Sequence, residues 1–141
     1  PRPSVSDTLD FSFSGLKTAL VRTVQQIGDE FAENPAAQPG RVADLAASYQ
    51  AAICDTLTRN VMAAIDETRV HHCAIAGGVA ANQRLRNQVE AACSDAGISF
   101  HVPAHELCTD NAVMVAVAAV FQYGQREPDN LQLDVFSAMP K

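Results

Sequence analysis

The chain has no tryptophan, and aromatic residues make up only 6% of its 141 positions. Alanine and valine therefore fill much of any core, which suits tight helix-on-sheet packing. Basic residues are scarce: ten Lys and Arg stand against sixteen Asp and Glu, for a net charge of −6. A chain that grips nucleic acid by its own field needs clustered cations, so the charge argues against that class, although not against one side of a composite site. Cys54, Cys73, Cys93 and Cys108 are widely spaced and form no Cys-x-x-Cys pair. A zinc cluster and a disulfide framework are both unexpected, and reduced thiols in a cytoplasmic protein are the simpler reading. No apolar run is long enough to span a bilayer, so no membrane partner is expected, and no signal peptide is visible. The chain opens on Pro1-Arg2-Pro3-Ser4 with no initiator Met, and we read it as a single domain, 1–141, belonging to a longer polypeptide.

What is present is an alternation of strand and helix patterns. Leu9 to Phe13 alternates apolar and polar residues as a short strand does. Leu16 to Ile27 shows helical spacing, with Ser14 as an opening cap and Gly28 as a stop. Asn34 to Gly40 reads as a loop. Arg41 to Thr68 is a long helical pattern through Val42, Leu45, Tyr49, Ile53, Leu57, Val61 and Ile65. Val70 to Ala76 reads as a buried strand, Val79 to Ala96 as a helix stopped by Gly97, and Ile98 to Val102 as a strand. Asp110 to Tyr123 reads as an apolar helix closed by Gly124, followed by an irregular tail after Pro128. The order predicts an α/β fold with a mostly parallel sheet covered by helices.

Two strand-to-helix mouths carry the chemistry. In Ala76-Gly77-Gly78-Val79, two glycines let the backbone turn sharply after a strand and approach a ligand without Cβ atoms in the way. A tight turn with no ligand explains the same pattern. Asn82, read as lying in the first turn of the next helix, could reach the same space or serve as a local cap. At the second mouth, Thr109 or Asp110 could cap the apolar helix, and capping is the simpler role. A metal-ligand role for Asp110 needs partner ligands. His101 and His105 would lie about 13 Å apart in an extended segment, too far to share an ion. His71 and His72 point to opposite faces of a strand. Ser14-Gly15-Leu16-Lys17-Thr18 fails as a phosphate loop, and no G-x-G-x-x-G or G-x-S-x-G is present. Arg84 and Arg86 read as part of a solvated helix face.

Three blocks together resemble the C-terminal part of the TsaD family, the tRNA threonylcarbamoyladenosine synthases once labelled glycoprotein endopeptidases. They are Asp10-Phe11-Ser12-Phe13-Ser14-Gly15-Leu16-Lys17-Thr18; Ala76-Gly77-Gly78-Val79-Ala80-Ala81-Asn82 with Leu85-Arg86; and Cys108-Thr109-Asp110-Asn111-Ala112 with Met114 and Ala116. The resemblance implies part of a ribonuclease-H-like lobe of the actin-like ATPase superfamily, with the N-terminal lobe absent. It implies transfer of a threonylcarbamoyl group from threonylcarbamoyl-adenylate to the N6 amine of the adenine next to the anticodon of tRNA. By the same resemblance Gly78 and Asn82 contact the adenosine part of the adenylate. Asp110 ligates a divalent metal, iron or zinc, which two histidines of the absent lobe complete. A smaller paralogue and an ATPase are the implied protein partners in bacteria, and a larger complex in archaea and eukaryotes. The isolated chain is expected to be inactive. Two other readings compete: a nucleotide-binding module of another actin-like ATPase or a non-catalytic paralogue, against which Asp110 speaks; and a metallopeptidase, for which no H-E-x-x-H exists.

Overall fold

The structure, a computed structural model, describes residues 13–125 together with Leu9 and Glu127. Five α-helices and two strands run in the order α1 (Ser14–Ile27), α2 (Asp29–Glu33), α3 (Pro39–Thr68), β1 (His72–Ala74), α4 (Gln83–Asp95), β2 (Ser99–His101) and α5 (Ala112–Tyr123). The expected α/β class and the parallel pairing are both found. The expected first strand, Leu9 to Phe13, and the tail after Pro128 lie outside the described residues, apart from Leu9 and Phe13 themselves.

The long helix α3 begins on Pro39, whose fixed φ suits the first helical turn. It stops at Arg69, in the left-handed region at φ 56°, whose N–H donates to the Ile65 carbonyl at 2.8 Å. Cys54, Leu57, Val61 and Ile65 recur at helical spacing and turn one stripe to the core. On α4, Leu85, Val89 and Cys93 recur every four residues and are 5%, 0% and 0% exposed. The two stripes meet over one face of the sheet, where Cys73 and Phe100 pair in register. Gln88 reinforces the joint by donating to Asp55 Oδ1 at 2.9 Å. Ahead of this core, Leu16 of α1 and Phe31 of α2 are buried against the start of α3.

Several local expectations are corrected. The strand expected over Val70–Ala76 is three residues long, and only Cys73 of it is buried. Among the described residues one face of the two-stranded sheet is covered and the other is not, so the strand alternates rather than burying both faces. The helix expected over Val79–Ala96 is two pieces: a 3-10 turn, Gly78–Ala81, and α4, which restarts at Gln83. The loop expected over Asn34–Gly40 holds a 3-10 turn, Pro35–Ala37, and the start of α3. Ser14 is the first residue of α1 rather than its cap; Phe13 takes that position without a side-chain bond.

Helix α5 differs from the rest. Its sequence carries no charged residue, yet none of its residues is buried. Among the described residues, no helix is long and apolar enough to cross a membrane.

Candidate functional site

The chain leaves β1 with one more sheet bond, Ile75 N–H to the His101 carbonyl at 3.1 Å. It then turns at Gly77, where φ is 85° and ψ is 174°. That conformation is close to glycine-only, because any Cβ there collides with its own backbone. The turn continues as one round of 3-10 helix, closed by Ala80 N–H to Gly77 O at 2.9 Å and Asn82 N–H to Val79 O at 3.0 Å. Ala80 is buried and fixes the turn against the body of the protein.

Asn82 is not in the first turn of a helix. It is the N-cap of α4, and its Oδ1 accepts from the N–H of Arg84 at 3.0 Å and of Leu85 at 3.3 Å. Gln50 of α3 donates to the same oxygen at 3.1 Å. The side-chain oxygen is thus committed to two α4 amides and to α3, which leaves the Asn82 amide nitrogen as its group for outside partners.

The second loop leaves β2 through Pro103 and makes a 3-10 turn over His105–Leu107. Cys108 is 2% exposed and anchors it. The cap of α5 is Asn111, whose Oδ1 accepts from Met114 N–H at 3.0 Å while its Nδ2 donates to the Thr109 carbonyl at 2.8 Å. Capping had been the simpler role for Thr109 or Asp110, and neither performs it. Asp110 stands just before the cap, exposed, and its carboxylate makes no hydrogen bond or ion pair with any described residue.

The two loops share one cleft of about 560 Å³. Ala76 and Gly77 line one side; Thr109, Asp110 and Asn111 line another; Met114 and Val117 of α5 supply an apolar wall. Gly77 is the glycine that borders this cleft, and Gly78 follows it in the chain. A Cβ built on Gly78 meets nothing within 4 Å, so the space beside it is open. Among the described residues, no three of His, Cys, Asp and Glu converge on one point that could hold a metal ion. The donor set here therefore fits a single carboxylate ligand and not a complete metal site.

Two pairings were not foreseen. His72 and His101 lie diagonally across the parallel register, with Nδ1 of His72 and Nε2 of His101 3.2 Å apart. Knowing that His72 faces Ser99 would have revealed it. Arg86, expected on a solvated face, is half-buried: its Nε donates to the Ala80 carbonyl at 2.5 Å and its Nη2 to Cys108 Sγ at 2.7 Å. Its spacing from Arg84 carried no signal of this, because the partner lies in another loop.

The family model described as tRNA N6-adenosine threonylcarbamoyltransferase matches residues 1–117. The chain belongs to the TsaD family. Curated relatives that carry this same name agree with the match. The protein of Verminephrobacter eiseniae is 47% identical over 123 residues, covering 86% of this chain and 34% of its own length. That of Paracidovorax citrulli is 46% identical over 132 residues, covering 92% and 36%. That of Albidiferax ferrireducens is 39% identical along the whole chain and 40% of its own length. The chain thus spans about a third of the TsaD relatives it matches.

Proposed function

We propose that this chain supplies part of the C-terminal lobe of a tRNA N6-adenosine threonylcarbamoyltransferase, in a ribonuclease-H-like fold of the actin-like ATPase superfamily. The full-length protein moves a threonylcarbamoyl group from threonylcarbamoyl-adenylate to the N6 amine of an adenine next to the anticodon, in the cytoplasm. The single observation that carries this reading, beside family membership, is that the glycine turn and Asp110 open on one cleft.

The residues divide the work by their chemistry. The open space beside Gly78 admits the flat face of the adenosine, and the Asn82 amide nitrogen is a donor for a nitrogen or hydroxyl of that nucleoside. Its carbonyl, held by three donors, keeps the side chain from rotating away. Asp110, with no partner among the described residues, serves as one ligand of a divalent ion, iron or zinc, completed by two histidines from outside this chain. Such an ion, when bound, polarises the transferring carbonyl and orients the mixed anhydride. With one ligand of three, the chain alone neither holds the ion tightly nor turns over. Its net charge of −6 leaves much of the tRNA contact to other surfaces, including a smaller paralogue and an ATPase.

The test is Asp110→Ala in the full-length protein, assayed with its partners for threonylcarbamoyladenosine in tRNA. Loss of a metal ligand is expected to cut the rate by on the order of 100-fold or more, with the metal content reduced. Product at the normal rate with full metal content would remove Asp110 from the site.

A further inference from the structure

We propose that Arg86 is a positioning residue that ties the glycine turn to the Cys108 loop and so sets the width of the cleft between Gly77 and Asp110. The activity part of this inference rests on the transferase reading above.

Arg86 reaches both mouths from one guanidinium. Nε–H donates to the carbonyl of Ala80, inside the 3-10 turn that follows Gly77. Nη2 donates to the sulfur of Cys108, two residues before Asp110. Both joints are buried: Ala80 and Cys108 are each 2% exposed. The Cys108 thiol passes the constraint on by donating to the Ala104 carbonyl at 3.6 Å, across the 3-10 turn of its own loop. At its base Arg86 is held by its own N–H, which donates to the Asn82 carbonyl at 3.1 Å.

A planar guanidinium suits this task. Its two donors keep a fixed mutual angle, so bonding both fixes the separation of the loops. Lysine has one rotating ammonium and sets no such angle. Among the described residues the alternative fastening is weak, because no backbone bond joins the two loops after Ile75 and each is otherwise closed by its own turns. Arg86 does not itself line the cleft. It acts through Ala80 and Cys108, at the two edges of the space where substrate and ion would sit.

The experiment uses the full-length protein with Arg86→Ala, Arg86→Lys, Cys108→Ala and the Arg86→Ala/Cys108→Ala pair. Hydrogen exchange without substrate is the first readout. Residues 104–111 are expected to exchange faster in both Arg86 variants, while the α4 amides from Val89 onward stay protected. The second readout is steady-state kinetics with threonylcarbamoyl-adenylate. Arg86→Ala and Arg86→Lys are expected to raise KM on the order of tenfold, because a loosened cleft misplaces the ligand. The paired variant is expected to fall short of the sum of the two single variants, since the connection they share is lost only once, although Cys108→Ala also removes the thiol's own bond to Ala104. Should Arg86→Ala not fold, the lysine variant, which keeps charge and stem, carries both readouts. Unchanged exchange over 104–111, an unchanged KM, or additive effects in the pair would each overturn the inference. Failure of the transferase reading shows elsewhere: the unsubstituted protein would make no threonylcarbamoyladenosine, and exchange alone would then decide whether Arg86 fastens the loops.

Discussion

Helices α4 and α5 are nearly equal in length and opposite in fate. Helix α4 carries four charged residues, yet it buries Leu85, Val89 and Cys93 against α3 and the sheet. Helix α5 carries none and leaves Val120 76% and Phe121 70% exposed. Apolar content therefore measures a helix's demand for burial, while its pattern decides whether a given surface can meet it. Helix α4 is amphipathic, with one stripe for one partner. Helix α5 is apolar all round, as a helix enclosed on several sides is, and the described residues offer it a partner only along the cleft. The candidate site sits on the boundary: Gly77 ends the packed half and Asp110 leads into the uncovered one.

Truncation gives the largest effect that separates the two helices. Leu85→Ala removes a buried branched side chain and is expected to cost about 2–5 kcal/mol by denaturant unfolding of this chain. Val120→Ala removes an exposed one and is expected to stay within about 0.5 kcal/mol. Equal costs would break the comparison and mean that α5 is packed in solution. A larger cost for Val120→Ala in the full-length protein would sharpen it, by showing that other residues cover α5.

Next in size is a pH effect confined to the packed half. Burial, and then the neighbouring Cys73 thiol, push the Cys93 thiol from 9.0 up to about 11. Burial pushes Cys54 up as well. A raised thiol pKa means that the folded state holds the proton more tightly than the unfolded state does. The resulting stability is complete below pH 9 and is lost as pH rises towards 11. Unfolding midpoints measured from pH 8 to 11 are expected to fall over that window, and less steeply in Cys93→Ala. A midpoint that holds constant to pH 11 would contradict the burial assigned to Cys93.

How legible this was in the sequence depends on distance along the chain. Helices α1 and α3 followed from apolar spacing and, for α1, from Gly28, all local signals. So did the parallel pairing, which the alternation of elements dictates. The start of α3 at Pro39 was missed because two prolines and a glycine made that stretch read as a loop. The three-residue strands were overestimated because Val70, Ile75 and Ala76 are apolar without a second sheet face to enter. The cap of α5 was misplaced by one or two residues because Thr109, Asp110 and Asn111 are all competent caps, and only geometry chooses Asn111. The cleft was legible as two motifs, but its fastening was not. Arg86 to Cys108 spans twenty-two residues, and no periodicity encodes such a contact.

The two adjacent glycines offer the finest test, since they differ in what they need from the fold. Gly77 holds a positive φ of 85°, so Gly77→Ala is expected to destabilise this chain by about 1–3 kcal/mol through backbone strain alone. Gly78 has no positive φ and only open space around its Cβ position. Gly78→Ala is therefore expected to leave stability unchanged or to raise it by a few tenths of a kcal/mol, because the unfolded chain loses freedom. If Gly78 is glycine for the folded chain's sake, this variant unfolds early. If it is glycine so that an adenosine can lie against the turn, the full-length Gly78→Ala protein keeps its melting temperature and loses affinity for the adenylate. A methyl group that costs neither stability nor affinity would leave the open space beside Gly78 without a ligand, and the adenosine would have to be sought along the α5 wall instead.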